Sequence, residues 1–113
     1  MEDKDIKVIH NIEINEKENY VKISVNPKIY PLHIIYSAAY VFLDKAFVNI
    51  EGNPEEEIFV TLIPKQSSMN LEVLGRDFNN ELINYAAFSI RYGLTKQIRE
   101  KIVEKLLEAI KND

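Results

Sequence analysis

Chemistry in a protein chain needs groups that can work in pairs, and this chain offers few. Its two histidines, His10 and His33, share neither an HxH nor an HxxxH spacing and have no obvious carboxylate partner. His10 falls in phase with Ile6, Val8, Ile12 and Ile14 and is expected at the core face or margin of a strand, while His33 is expected in the first turn of a helix. Isolated imidazoles of this kind serve packing or the surface more often than metal binding. No metal site is therefore expected. Glu55-Glu56-Glu57 follows the turn signal Gly52-Asn53-Pro54. It suits a cation or a basic partner in one reading, and in the other it is the solvated loop that such charge runs usually form. Asp77 has work available as a helix N-cap or first-turn acid. Asp44 ends a helix, where the dipole offers a carboxylate nothing, so Lys45 or Arg76 is the expected partner. No nucleophile with a paired base, glycine-rich phosphate loop or cofactor fingerprint is present. The chain has no cysteine, which excludes disulfides, thiolate catalysis and cysteine-ligated clusters. Neither a catalytic set nor a cofactor is expected.

The tyrosines are better candidates for contact than for catalysis. Tyr36 and Tyr40 stand one helical turn apart, with Tyr30 upstream and Tyr85 and Tyr92 on a later helix. Either they fill the edge of the core with their hydroxyls wet or bonded, or they line a groove or subunit contact.

These residues need elements to hold them. The stretch Ile29–Glu51 organises the chain. Pro31 suits a first helical turn. Leu32–Leu43 then reads as a helix apolar nearly all round, with Ile35, Ala38, Ala39 and Phe42 on one face and Ile34, Val41, Tyr36 and Tyr40 covering most of the rest. Such a helix is expected to be packed on more than one side. A strand, Ala46–Ile50, follows at a tight corner. Upstream, the even-numbered Ile6, Val8, Ile12 and Ile14 predict one strand, and Val21, Ile23 and Val25 a second. Downstream, Ile58–Ile63 is apolar on both faces until Pro64, which predicts a central strand or a covered edge. Leu71–Leu74 suits a preliminary turn or a helix start weakened by Gly75, and the helical pattern is clear from Asp77. Phe78, Leu82, Tyr85/Ala86 and Ser89 mark one face of this helix, and Ile83, Ala87 and Ile90 a neighbouring one. Gly93 reads as its stop and Thr95 as the cap of a final amphipathic helix carrying Ile98, Ile102, Val103, Leu106 and Ile110. The expected fold is α+β, a single domain over residues 1–113 in the order β-β-α-β-β-α-α. A mainly antiparallel sheet packs against helices on one face.

Composition narrows the function classes. A net charge of −4 without a clustered Lys/Arg run argues against nucleic acid, whose binding rests on phosphate neutralisation. No stretch approaches the roughly 20 apolar residues of a membrane span. The charged start Met1-Glu2-Asp3-Lys4-Asp5 lacks the apolar run of a signal peptide, so a cytoplasmic location is expected.

A family resemblance adds to this reading. The run Ala38-Ala39-Tyr40-Val41-Phe42-Leu43-Asp44-Lys45-Ala46-Phe47-Val48, followed by Phe78-Asn79-Asn80-Glu81-Leu82-Ile83-Asn84-Tyr85, resembles the HxsD family of His-Xaa-Ser peptide maturation systems. The similarity spans roughly Tyr30 to Ile102. Where family members often carry an arginine soon after the position of Tyr85, this chain has Ala86-Ala87-Phe88. The resemblance implies an accessory role beside radical SAM enzymes that modify a precursor peptide, and it brings no catalytic residues. The expectation is a non-enzymatic adaptor that binds a peptide or partner protein through the central helix and the sheet edge. Its contact residues are expected to be Tyr36, Tyr40, Asn80, Glu81 and Tyr85. The alternative is a self-associating structural protein, a homodimer joined through the apolar helix 32–43.

Overall fold

The structure is a computed structural model, and it describes residues 6–92 together with Glu100, Glu104, Lys105, Leu107 and Glu108. Its elements are β1 (Ile6–Ile9), β2 (Ile12–Asn15), β3 (Tyr20–Val25), α1 (Leu32–Tyr40), β4 (Ala46–Asn53), β5 (Glu57–Pro64) and α2 (Leu71–Arg91). The five strands form one sheet in the order β1-β2-β3-β5-β4, antiparallel at every pairing. The α+β class and the antiparallel sheet hold. The element order departs from expectation at the N-terminus, and the expected final helix around Ile98–Ile110, with its Gly93 stop and Thr95 cap, lies outside the continuous described residues.

The first departure is a hairpin. Ile6–Ile14 is two strands, β1 and β2, joined by the two-residue turn His10-Asn11, with His10 at φ 55°. Ile9 pairs with Ile12, so residues of odd number before the turn share a face with residues of even number after it. Ile12 and Ile14 are buried, whereas Val8 is 67% exposed on the opposite face and His10 is exposed in the turn. A period of two continues unbroken in the sequence across the turn while the chain reverses beneath it. The turn is clamped from two sides. Asn11 and Asn79 of α2 exchange amide hydrogen bonds of 2.9 Å, and Asn11 Nδ2 also donates to the Ser24 carbonyl at 3.0 Å.

Both helices cover one face of the sheet. Ile12, Ile14, Val21, Ile23, Val25, Ile58, Val60 and Leu62 bury against Ile34, Ile35, Ala38, Ala39 and Phe42 from the α1 segment, and against Leu71, Leu74, Phe78 and Leu82 from α2. The Phe42 and Phe78 rings meet at 5.7 Å between centroids. As expected of a strand apolar on both faces, β5 is internal, between β3 and β4.

Gly75 does not interrupt α2, and it admits the helix to the sheet. A Cβ there would stand 2.9 Å from Cγ2 of both Ile12 and Val21, so the missing side chain allows helix and sheet to approach. The helix therefore starts well before Asp77. Asn70 is its cap, accepting from the Val73 N–H at 3.0 Å, and Asp77 lies exposed in its interior. Ile83 and Ile90, on the neighbouring face of the helix, are exposed.

Candidate functional site

The α1 helix ends at Tyr40, and its next residues tighten into a turn. Val41, Phe42 and Leu43 donate to Ala38, Ala39 and Tyr40 respectively, and Ala46 then starts β4 after donating to Phe42. This corner fixes which side of the segment is inside. Ile35, Ala38, Ala39 and Phe42 are buried as expected. The other side is largely exposed and is not covered by another element among the described residues, contrary to the expectation for an all-round apolar helix. Tyr36 is 57% exposed and Tyr40 75%, with Val41 and Leu43 exposed beside them. The physical reason is that, among the described residues, one sheet face and one neighbouring helix, α2, are the only elements packed on α1.

That open side borders β4. Tyr36, Ala39, Tyr40 and Leu43 form one wall and Val48 and Ile50 the other of an open groove of about 460 Å³. Two shallower depressions adjoin it through Tyr40. One, of about 320 Å³, is lined by Tyr36, Ser37, Tyr40 and Tyr85, and the other, of about 500 Å³, by Tyr40, Val41, Leu43, Asp44 and Tyr85. Of the residues singled out in the sequence, Tyr36, Tyr40 and Tyr85 thus come together. Glu81 lies one turn before Tyr85 on the same side of α2, half-buried. Asn80 is exposed and stands about 200° round the helix from buried Phe78, away from the tyrosines.

Leu43, Val48 and Ile50 belong to the site and were not singled out from the sequence. The alternation Ala46, Val48, Ile50 was the signal available, but it marks any half-buried strand.

The charged candidates do not assemble into a centre. Lys45 places its ammonium 4.8 Å from the centroid of the Phe42 ring, and Arg76 pairs with Glu72 at 2.9 Å. Neither partners Asp44 as expected, and among the described residues Asp44 enters no ion pair. Glu51, Glu55, Glu56 and Glu57 are exposed around the β4–β5 turn, where Gly52 takes φ 123° and the Glu57 carboxylate accepts from the Ser24 hydroxyl. Among the described residues no group of three or more potential ligands gathers in metal-binding proximity. None of their helices is long and apolar enough to cross a membrane.

The surface is therefore mainly apolar and aromatic. The family model described as His-Xaa-Ser system protein HxsD matches residues 25–113. This chain belongs to the HxsD family. The HxsD match takes in β5 together with the α1 segment, β4 and α2, the last three of which line the groove and the tyrosine surface, and begins at the last residue of β3. No curated protein and no solved structure matches the chain.

Proposed function

We propose that this chain is a non-enzymatic adaptor of the His-Xaa-Ser system that binds a peptide or a partner enzyme of that system, a radical SAM protein being the partner the family resemblance implies. The observation that carries this reading is the open aromatic surface of Tyr36, Tyr40 and Tyr85 beside the apolar groove. Tyrosine gives large contact area with few rotatable bonds and a hydroxyl that tolerates both water and a partner, which favours it at interfaces. The family's description as a system protein supports a role among other proteins. Glu81 is a polar contact at the border of this surface in this reading, while Asn80, on the other side of α2, falls outside it.

The test is recovery of tagged protein from its host lysate, with mass spectrometry of what accompanies it, beside a Tyr36→Ala/Tyr40→Ala variant. A radical SAM protein or short precursor peptide should co-purify with the wild type and be lost from the folded variant. Equal recovery by both would remove the tyrosine surface from the reading.

A further inference from the structure

Among the described residues the edge of the sheet next to the groove has no further strand beside it, and its hydrogen-bonding groups can be assigned. β4 has one neighbour, β5, and their register runs without a bulge from Ala46↔Pro64 to Asn53↔Glu57. The Lys65 N–H donates to the Lys45 carbonyl at 3.0 Å, which makes 45↔65 a hydrogen-bonded pair. Antiparallel ladders alternate such pairs with non-bonded ones. Phe47, Asn49 and Glu51 therefore spend their backbone groups on β5, and Ala46, Val48, Ile50 and Gly52 turn theirs to the free edge. Pro64 opposite Ala46 agrees, since proline has no N–H to give. The residues that offer the edge are thus also those whose side chains face the helix layer, with Val48 and Ile50 lining the groove.

We propose that β4 pairs antiparallel with β4 of a second copy of this chain about a two-fold axis through Val48, joining the two sheets into one. A two-fold axis normal to the sheet keeps both helix layers on the same side, so Ala46, Val48 and Ile50 of one copy must oppose the same set in the other. The register centred on Val48 sets Ala46 against Ile50 and Lys45 against Glu51, each twice. Neither Lys45 nor Glu51 enters an ion pair among the described residues. Centring instead on Asn49 would oppose Phe47 to Glu51 and Lys45 to Asn53, losing the charge match. The same antiparallel sense lays the end of β4 that carries Lys45 and Lys65 beside the end that carries Glu51, Glu55 and Glu56. Each groove is open along the β4 edge and faces its copy across the axis, so Val48 and Ile50 of one chain help to close the groove of the other.

The chain has no cysteine, so Val48→Cys places a single thiol on the proposed axis. Hydrogen-bonded antiparallel partners have Cα atoms about 5.5 Å apart, inside the roughly 4.4–6.8 Å that a disulfide spans. Under mild oxidation this variant should become a covalent dimer on a non-reducing gel, while Val8→Cys, at the far edge and more exposed than the partly buried Val48, stays mostly monomeric. In sedimentation equilibrium the wild type should dimerise, and Glu51→Lys should weaken it by about tenfold or more through like charges set opposite each other. Lys45→Glu together with Glu51→Lys should restore dimerisation. A wild type that stays monomeric at several hundred micromolar overturns the proposal and leaves the edge to a strand from another protein. A dimer in which Val48→Cys links no faster than Val8→Cys also overturns it and places the contact elsewhere, such as on the exposed side of α1. A dimer insensitive to both charge variants overturns the Val48 register.

Discussion

The two edges of the sheet are built to opposite specifications. β1 is four residues long and carries Lys7 on the face shared with buried Ile14, from where its ammonium reaches Glu72 of α2 at 3.8 Å. Short length and a charge turned to the helix side are common devices for keeping an edge from pairing. The Asn11–Asn79 exchange then ties the tip of that hairpin to the helix layer. β4 is eight residues long, has neither lysine nor proline between Ala46 and Asn53, and runs beside an apolar groove. One edge is closed by the chain itself, and the other has no neighbour among the described residues. The aromatic surface adjoins the open edge, so α1 has to be held there rigidly by residues that do not touch a partner.

Phe42→Ala tests that support most severely. The ring is buried and packs on Phe78, so its loss should cost about 3–5 kcal/mol in chemical denaturation. A cost near zero would mean that α1 is not anchored through this corner, and the contrast between its inner and outer sides would fail. Gly75→Ala acts on the same face of the sheet, over β2 and β3. Alanine is the better helix former by about 1 kcal/mol, but its methyl would press on the branched, buried side chains of Ile12 and Val21. Overpacking of about 1–3 kcal/mol should win, giving a net loss of stability. A more stable variant would show that α2 can lift from the sheet at little cost.

A smaller effect is expected at the closed edge itself. Asn79→Ala removes the amide exchange with Asn11 but leaves the Asn11 bond to the Ser24 carbonyl, so about 1 kcal/mol should be lost. Hydrogen exchange should quicken at the Ser24 amide, which donates to Asn11, and remain unchanged along β4. Faster exchange at both edges would mean that they are not independent.

How far these features are legible in the sequence depends on whether they are local. The α1–β4 corner, the Gly52 turn, the end of β5 at Pro64 and the inner face of α1 follow from periodicity and turn chemistry alone. The β1–β2 hairpin does not, because an apolar residue at every second position describes a straight strand as well as two strands joined by an even-numbered turn. Gly75 reads as a helix defect until Ile12 and Val21 are seen beneath it, a contact between segments more than fifty positions apart. Tyr36 and Tyr40 were legible as a pair and Tyr85 as a distant aromatic, but their meeting depends on how α1 crosses α2. The groove also needs Val48 and Ile50, whose pattern is that of any strand with one buried face. Which edge of the sheet stays open is a property of strand order, and no segment encodes it alone.

Tyr40→Ala is expected to have the smallest effect on stability, and that makes it the sharpest probe of the open side. At 75% exposure the ring loses little buried area on truncation, and alanine is at least as good a helix former at that position. The change in unfolding free energy should stay within about 0.5 kcal/mol. Any partner seated across the tyrosine surface would nevertheless feel the loss of a central aromatic, where truncation commonly costs about 2 kcal/mol or more of binding. Phe42→Ala cannot make this distinction, because it unsettles the scaffold and the surface together. A Tyr40→Ala protein that unfolds like the wild type but no longer holds its partner assigns the exposed side of α1 to recognition. If stability falls by more than 1 kcal/mol instead, Tyr40 packs within the chain, and the division of α1 into a structural side and a binding side is lost.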